Sequence, residues 1–299
     1  GLIALAVVLA TTVLTRRNGQ RLASIPLGAF SALVGAIGIA LTLPVAIGAI
    51  VYVWVDFVNA RVAFGGAGFI DSWLGWTTRE PQTLIYVVPT LGILADAAAR
   101  TARIASARQP LRGVLLVGVG IAATVIMSSV TQQAHVFALG DTPFATLQSF
   151  VPFALFNLLP LLAPLVVIML SLLALKAGKP SLSGALVASL FGVGMVFTGL
   201  VGSAVMHTDA LGLVGTVFGE AALVYVVYGS VLAALGGVAL YIGSLTGRPL
   251  PDVPVILLAL IGFLATVLAS LPHYVAGFMD QPANTAMGYS DAGLVGVAN

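Results

Sequence analysis

The sequence contains no cysteine, little charge and only three histidines. Without cysteine, the chain forms no disulfide bond, offers no thiolate to a metal and carries no information on its redox compartment. Charged residues make up 7% of the chain, whereas soluble domains carry about a quarter. The formal net charge of +2 is too small to indicate nucleic-acid binding, so we expect no nucleic acid among its partners.

Hydrophobic residues instead account for 60% of the 299 positions. This composition is typical of a multi-span membrane protein, whose surface is largely solvated by lipid. The apolar pattern starts at Gly1, without the basic stretch that precedes a secretory signal. We therefore expect one transmembrane helical domain over residues 1–299, belonging to a longer chain. The sequence has no phosphate-binding loop and no nucleophile–histidine–carboxylate set.

Hydrophobic runs separated by polar breaks predict an all-α bundle of eight transmembrane helices. The predicted spans are residues 1–15, 27–56, 82–99, 113–131, 146–175, 183–206, 211–244 and 253–279. Most of them approach or exceed the ~20 residues that a helix needs to cross the hydrocarbon core.

The basic residues support this count. If the connections alternate between two sides, one side receives ten of the twelve basic residues, and the other receives only Arg61 and Arg79. The ten are Arg16, Arg17, Arg21, Arg100, Arg103, Arg108, Arg112, Lys176, Lys179 and Arg248. The positive-inside rule predicts that this basic side is cytoplasmic, or faces the matrix in a mitochondrion.

The third span opens with a recognisable pattern. Residues 76–93 read WTTREPQTLIYVVPTLGI. They resemble the motif W-F-x-G-H-P-E-V-Y-I-L-I-L-P-x-F-G-I of haem-copper oxidase subunit I, aligned without a gap on Pro81 and Pro89. In this alignment Glu80 stands where the family has a copper-binding histidine, and Leu84 stands where many members have a tyrosine beside the copper.

Other stretches resemble the same family in the same order. They are residues 26–50, 133–140 (QAHVFALG), 198–202 (TGLVG), 236–237 with 246–247, and 272–277. The resemblance implies that the eight spans correspond to helices four to eleven of oxidase subunit I. In this register His135 takes the second histidine position of its motif, and Ala134 takes the first.

Most of the family's metal-ligand residues are absent at the aligned positions of this sequence. The tenth-helix H-x-H triplet of the family falls on Ala221, Ala222 and Leu223, and only His135 remains of the three copper histidines. Haem iron needs an axial ligand such as His, Met, Cys or Tyr, and such a copper site needs imidazoles. We therefore expect no haem, no copper and no catalytic residue in this segment.

The remaining polar residues have competing interpretations. His135, at the end of the fourth span, is expected to form hydrogen bonds rather than bind copper. Glu80 is either a carboxylate that stabilises a helix start or a proton-handling group. Glu220 lies about ten residues into the predicted seventh span. There it either forms a structural hydrogen bond or handles protons, since an ionisable group within lipid needs a partner or a function.

Three functions stay open. The first is a subunit-I-like structural component of a respiratory electron-transfer complex, without redox centres of its own. The second is a proton-conducting or transport protein that uses Glu80 and Glu220. The third is a working oxidase whose ligands lie outside this segment. The expected partners are lipid and other subunits of such a complex, in a bacterial inner membrane or the mitochondrial inner membrane.

Loss of the haem ligands also predicts a change in packing, because a vacated cofactor site would leave a costly void. We expect the seventh span to pack directly against the third and fourth spans. Phe218 or Leu223 should then contact residues near Thr83 or Val130, and no porphyrin-sized cavity should remain.

Overall fold

The computed structural model describes residues 2–15, 25–59, 83–102, 135–178 and 180–283. These ranges contain seven helical segments. They are α1 (Leu2–Leu14), α2 (Leu27–Val58), α3 (a π-helical turn Thr83–Val87 continuing as Val88–Ala102), α4 (Pro143–Phe153, a π-helical turn Ala154–Leu158, then Leu159–Ala177), α5 (Gly184–Met206), α6 (Phe218–Thr246) and α7 (Asp252–Phe278).

The all-α prediction is confirmed, and five segments are long and apolar enough to cross a membrane: α2, α4, α5, α6 and α7. The short segments α1 and α3 correspond to the first and third predicted spans. The fourth predicted span, residues 113–131, lies outside the described ranges. The count of eight spans therefore stays a prediction.

Side-chain caps and special backbone conformations set the helix ends. The Ser183 hydroxyl accepts a hydrogen bond from Leu186 N at 3.3 Å, and Thr142 accepts one from Ala145 N at 3.1 Å. Both residues thus satisfy a backbone donor that the first helical turn leaves free. At the other end of α6, Gly247 adopts φ 73°, a left-handed conformation that glycine takes without strain.

Helices α5 and α6 pack backbone against backbone. A Cβ atom added to Gly192 would lie 2.5 Å from the Gly229 carbonyl oxygen, and one added to Gly229 would lie 2.7 Å from the Gly192 carbonyl oxygen. Small residues at such an interface allow close van der Waals contact, which drives helix association where lipid removes the hydrophobic driving force.

The described loops meet at two ends of the bundle. At one end α2 begins, α3 and α6 finish, and the α4–α5 and α6–α7 connections lie. A Cβ added to Gly178 would clash with the Ala102 backbone there, and the Thr101 and Ser183 hydroxyl oxygens lie 3.4 Å apart. We call this the basic end, because the described residues Arg100, Lys176 and Arg248 lie there. At the opposite end Phe137 bridges to Thr208, and Thr216 bridges to Pro282.

Candidate functional site

The α6 residues that the resemblance aligns with the family's haem-ligand triplet lie in a tightly packed part of this helix. Ala221 and Ala222 are only 1% and 3% exposed. A Cβ added to Gly199 of α5 would lie 2.6 Å from the Ala222 carbonyl oxygen, and one added to Gly202 would lie 3.3 Å from the Ala222 methyl carbon. The backbone of α5 therefore occupies the space beside Ala222.

The α6 helix also packs against α3. A Cβ added to Gly237 would lie 3.3 Å from the Ile93 side chain, and α6 contacts both the π-helical turn and the α-helical part of α3. The predicted packing of the seventh span against the third is thus confirmed. The ring contacts of Phe218 lie on α7, with centroid distances of 4.8 Å to Tyr274 and 5.4 Å to Phe278.

Two parts of that packing prediction stay open. Val130 and the fourth predicted span lie outside the described ranges, as does the side chain of Thr83. The proposed contacts of Phe218 or Leu223 with these residues remain predictions.

His135 lies in the loop before α4. Its ring stacks on Phe156 with centroids 4.2 Å apart and planes 25° apart. Its backbone carbonyl accepts a hydrogen bond from Asn157 Nδ2 at 3.1 Å. These contacts place the imidazole against the aromatic ring of Phe156 in the π-helical turn of α4.

His207 lies just beyond the end of α5 and interacts electrostatically with His135. Burial lowers the pKa of the His135 imidazole, and repulsion from His207 lowers it further. Burial also lowers the pKa of His207, against the opposing effect of a hydrogen bond between its Nδ1 and the Ser203 carbonyl oxygen at 2.7 Å. Both rings therefore favour the neutral form.

Glu220 lies in the first turn of α6, because this helix begins at Phe218. The sequence-based boundary of residue 211 was therefore wrong. Gly212 and Gly215 adopt positive φ angles of 62° and 82°, which keep the preceding segment out of the helix. The side chain is half-buried at the N-terminus of this helix, where the helix dipole stabilises a carboxylate. Glu80, the other carboxylate singled out, lies outside the described ranges.

The sequence analysis missed Asp96. This residue of α3 is 0% exposed. Its Oδ2 accepts a hydrogen bond from Gly28 N in the first turn of α2 at 2.7 Å, and another from the Tyr241 hydroxyl of α6. One carboxylate thus joins three helices at the basic end. An aspartate within an apolar span, four residues before Arg100, was the available signal.

Arg100 completes this junction. Its guanidinium carbon lies 4.6 Å from the centre of the Tyr241 ring, and its Nη1 donates a hydrogen bond to the Leu240 carbonyl oxygen at 3.2 Å. The cation therefore sits on α6 beside the residue that donates to Asp96. The second carboxylate oxygen of Asp96, Oδ1, is buried and has no hydrogen-bond partner among the described residues.

A comparison with known protein families identifies the family of this chain. The family described as cytochrome c and quinol oxidase polypeptide I matches residues 1–296. The chain belongs to this family. The resemblance drawn from the motifs is thereby confirmed, and this subunit I homologue is a multi-pass membrane protein of a family whose members work in respiratory complexes.

The cofactors of the family can be tested against the residues present. Ala221 and Ala222 offer no donor atom, and α5 fills the space beside Ala222. Among the described residues, no group of three or more histidine, cysteine, aspartate or glutamate side chains could hold a metal ion. Within these ranges, the donor set does not fit the haem and copper centres of the family.

Proposed function

We propose that this subunit I homologue is a structural component of a respiratory membrane complex and carries no redox centre within residues 1–299. The observation that carries the proposal is the packing at the haem-ligand register. A haem-binding helix needs a donor side chain and room for a porphyrin beside it. Here the α6 register has buried alanines, and Ala222 lies against the α5 backbone.

His135 supports the same conclusion. A copper centre of this family requires several imidazoles around one ion. The His135 ring instead stacks on Phe156, and its nearest titratable partner is His207, in a turn that hydrogen-bonds to the backbone of Phe137. The aromatic contact accounts for the position of His135 without a metal.

Proton conduction through Glu80 and Glu220 is the alternative proposal. Placing Glu220 in the first turn of α6 weakens its case as a group deep within the membrane, because this turn lies at the end opposite the basic connections. An oxidase with ligands outside this segment is the third possibility. It would need a haem-binding surface elsewhere than the packed register of α6.

The experiment is a cofactor count on the purified complex. The complex is separated into its subunits under mild conditions, and a pyridine haemochrome spectrum and copper analysis are taken for this chain. We expect neither cofactor in a stoichiometric amount. Stoichiometric haem or copper on this chain would overturn the proposal.

Variants of two histidines sharpen the count. His135→Ala should leave the metal content of the complex unchanged, as should the control His273→Ala, whose ring Nδ1 interacts with the Ala269 carbonyl oxygen of its own helix. A loss of copper with His135→Ala, but not with His273→Ala, would show that His135 is a ligand and contradict the proposal.

A further inference from the structure

The buried carboxyl group of Asp96 is used by no part of the proposed structural role. It lies where α2, α3 and α6 meet at the basic end, and its side chain is 0% exposed. Transfer of an ionised carboxylate out of water is costly unless hydrogen bonds and opposite charges replace its hydration. The partners of the two oxygens therefore decide which protonation state the site accommodates.

The two oxygens have unequal surroundings. Oδ2 accepts hydrogen bonds from Gly28 N and from the Tyr241 hydroxyl, whereas Oδ1 is buried and has no partner in the part of the chain that the structure describes. A carboxylate spreads its negative charge over both oxygens, so about half of that charge lacks stabilisation here. Protonation would remove this cost while the junction stays assembled.

The described charged side chains at the basic end, other than Asp96, are exposed. Gly28 N belongs to the first turn of α2, whose free N–H groups favour a negative charge. On α3 itself, Arg100 lies one turn further on, but it is exposed and contacts Leu240 and the Tyr241 ring on α6. Lys176, near the end of α4, is exposed to solvent. Both cations are exposed, and solvent screening weakens the interactions of exposed charges.

We propose that Asp96 is a proton-binding site that exchanges with water at the basic end through Tyr241. The Tyr241 side chain is only partly buried, and its hydroxyl already donates to Asp96 Oδ2. In the exchange, Tyr241 transfers its hydroxyl proton to the carboxylate and takes a proton from a hydronium ion at the basic end, which becomes water. The tyrosine is restored, the carboxyl group gains one O–H bond, and no electron moves.

The test is infrared difference spectroscopy of the purified complex while the pH is changed. Protonation of a carboxylate produces a carbonyl stretching band, and labelling with ¹³C-aspartate separates aspartate from glutamate. We expect one aspartate band that Asp96→Asn removes. In Tyr241→Phe the band should shift, and its exchange in D₂O should slow several-fold, because the relay hydroxyl is gone.

Asp252 provides the matched control. Its Oδ1 accepts a hydrogen bond from Gly184 N at 2.6 Å, also at the start of a helix, but the side chain is exposed. Asp252→Asn should leave the band unchanged. A difference spectrum that is identical in the wild type and in Asp96→Asn would overturn the proposal, as would a normal exchange rate in Tyr241→Phe.

Two measurements keep these outcomes interpretable. Helical circular dichroism and size-exclusion chromatography show whether each variant still folds and assembles. If Asp96→Asn fails either check, Asp96→Glu replaces it, and the proposal then requires a labelled-aspartate band that disappears. The experiment does not depend on haem or copper content, so its failure would leave the proposed structural function standing.

Discussion

Two aspartates form the same bond in different surroundings. Asp96 accepts from Gly28 N at 2.7 Å, and Asp252 accepts from Gly184 N at 2.6 Å; in each case the carboxylate lies 68 residues after a glycine in the first turn of a helix. Asp96 is fully buried, whereas Asp252 is exposed. Water can replace a lost bond at Asp252 but cannot reach Asp96. Burial therefore turns an ordinary helix-capping bond into one on which the packing of three helices depends.

The largest expected effect comes from Asp96→Ala. This change leaves Gly28 N and the Tyr241 hydroxyl without an acceptor, and each buried unsatisfied donor costs about 1–3 kcal/mol. We expect the free energy of unfolding to fall by about 2–5 kcal/mol, measured by denaturant titration in detergent. A loss below about 1 kcal/mol would mean that water reaches the junction.

Tyr241→Phe should have a smaller effect. It removes one hydrogen bond to Asp96 but keeps the ring on which Arg100 lies. We expect a loss of about 0.5–1.5 kcal/mol, since a typical hydrogen bond contributes about this much to stability. The double variant with Asp96→Ala should lose less than the sum of the two single losses, because both changes break one shared contact. If the two losses of stability were additive, Asp96 and Tyr241 would not stabilise the fold through a shared contact.

Asp252→Ala should lower the free energy of unfolding by still less, about 1 kcal/mol or less. The measurement is again a denaturant titration in detergent. The start of α5 keeps its Ser183 cap on Leu186 N, and Gly184 N gains access to water when the carboxylate is removed. Added salt should weaken the Asp252 contribution more than that of Asp96, because exposed charges are screened. If the free energy of unfolding fell as much as in Asp96→Ala, burial would make no difference between the two aspartates.

The smallest expected effect is a pH dependence of stability, which arises at the opposite end of the bundle. Burial lowers the pKa of His207 from its ordinary 6.5. The unfolded chain therefore binds more protons than the folded chain just below pH 6.5, and stability should fall as the pH falls through that window. His207→Gln should flatten the dependence. An unchanged slope in His207→Gln would contradict the prediction and assign the effect to other titratable groups.

The sequence by itself determined the membrane class, the all-α fold and the family. The fold follows because long apolar runs with few charges leave only helices as a way to satisfy backbone hydrogen bonds in lipid. The family follows because the order of its motifs is read from the sequence and does not depend on packing. It placed most helix boundaries within a few residues. It misplaced the start of α6, because the positive φ angles of Gly212 and Gly215 depend on local backbone geometry that an apolar pattern does not reveal.

Only the tertiary structure decided which polar residues matter. Asp96 and Tyr241 are 145 residues apart in the chain, and no local pattern indicates that they meet. Glu220 attracted attention by its apparent depth, yet it lies in the first turn of α6. An ionisable side chain takes its properties from burial and from its hydrogen-bond partners. Here those partners come from three helices, whose meeting point depends on the packing of the whole bundle.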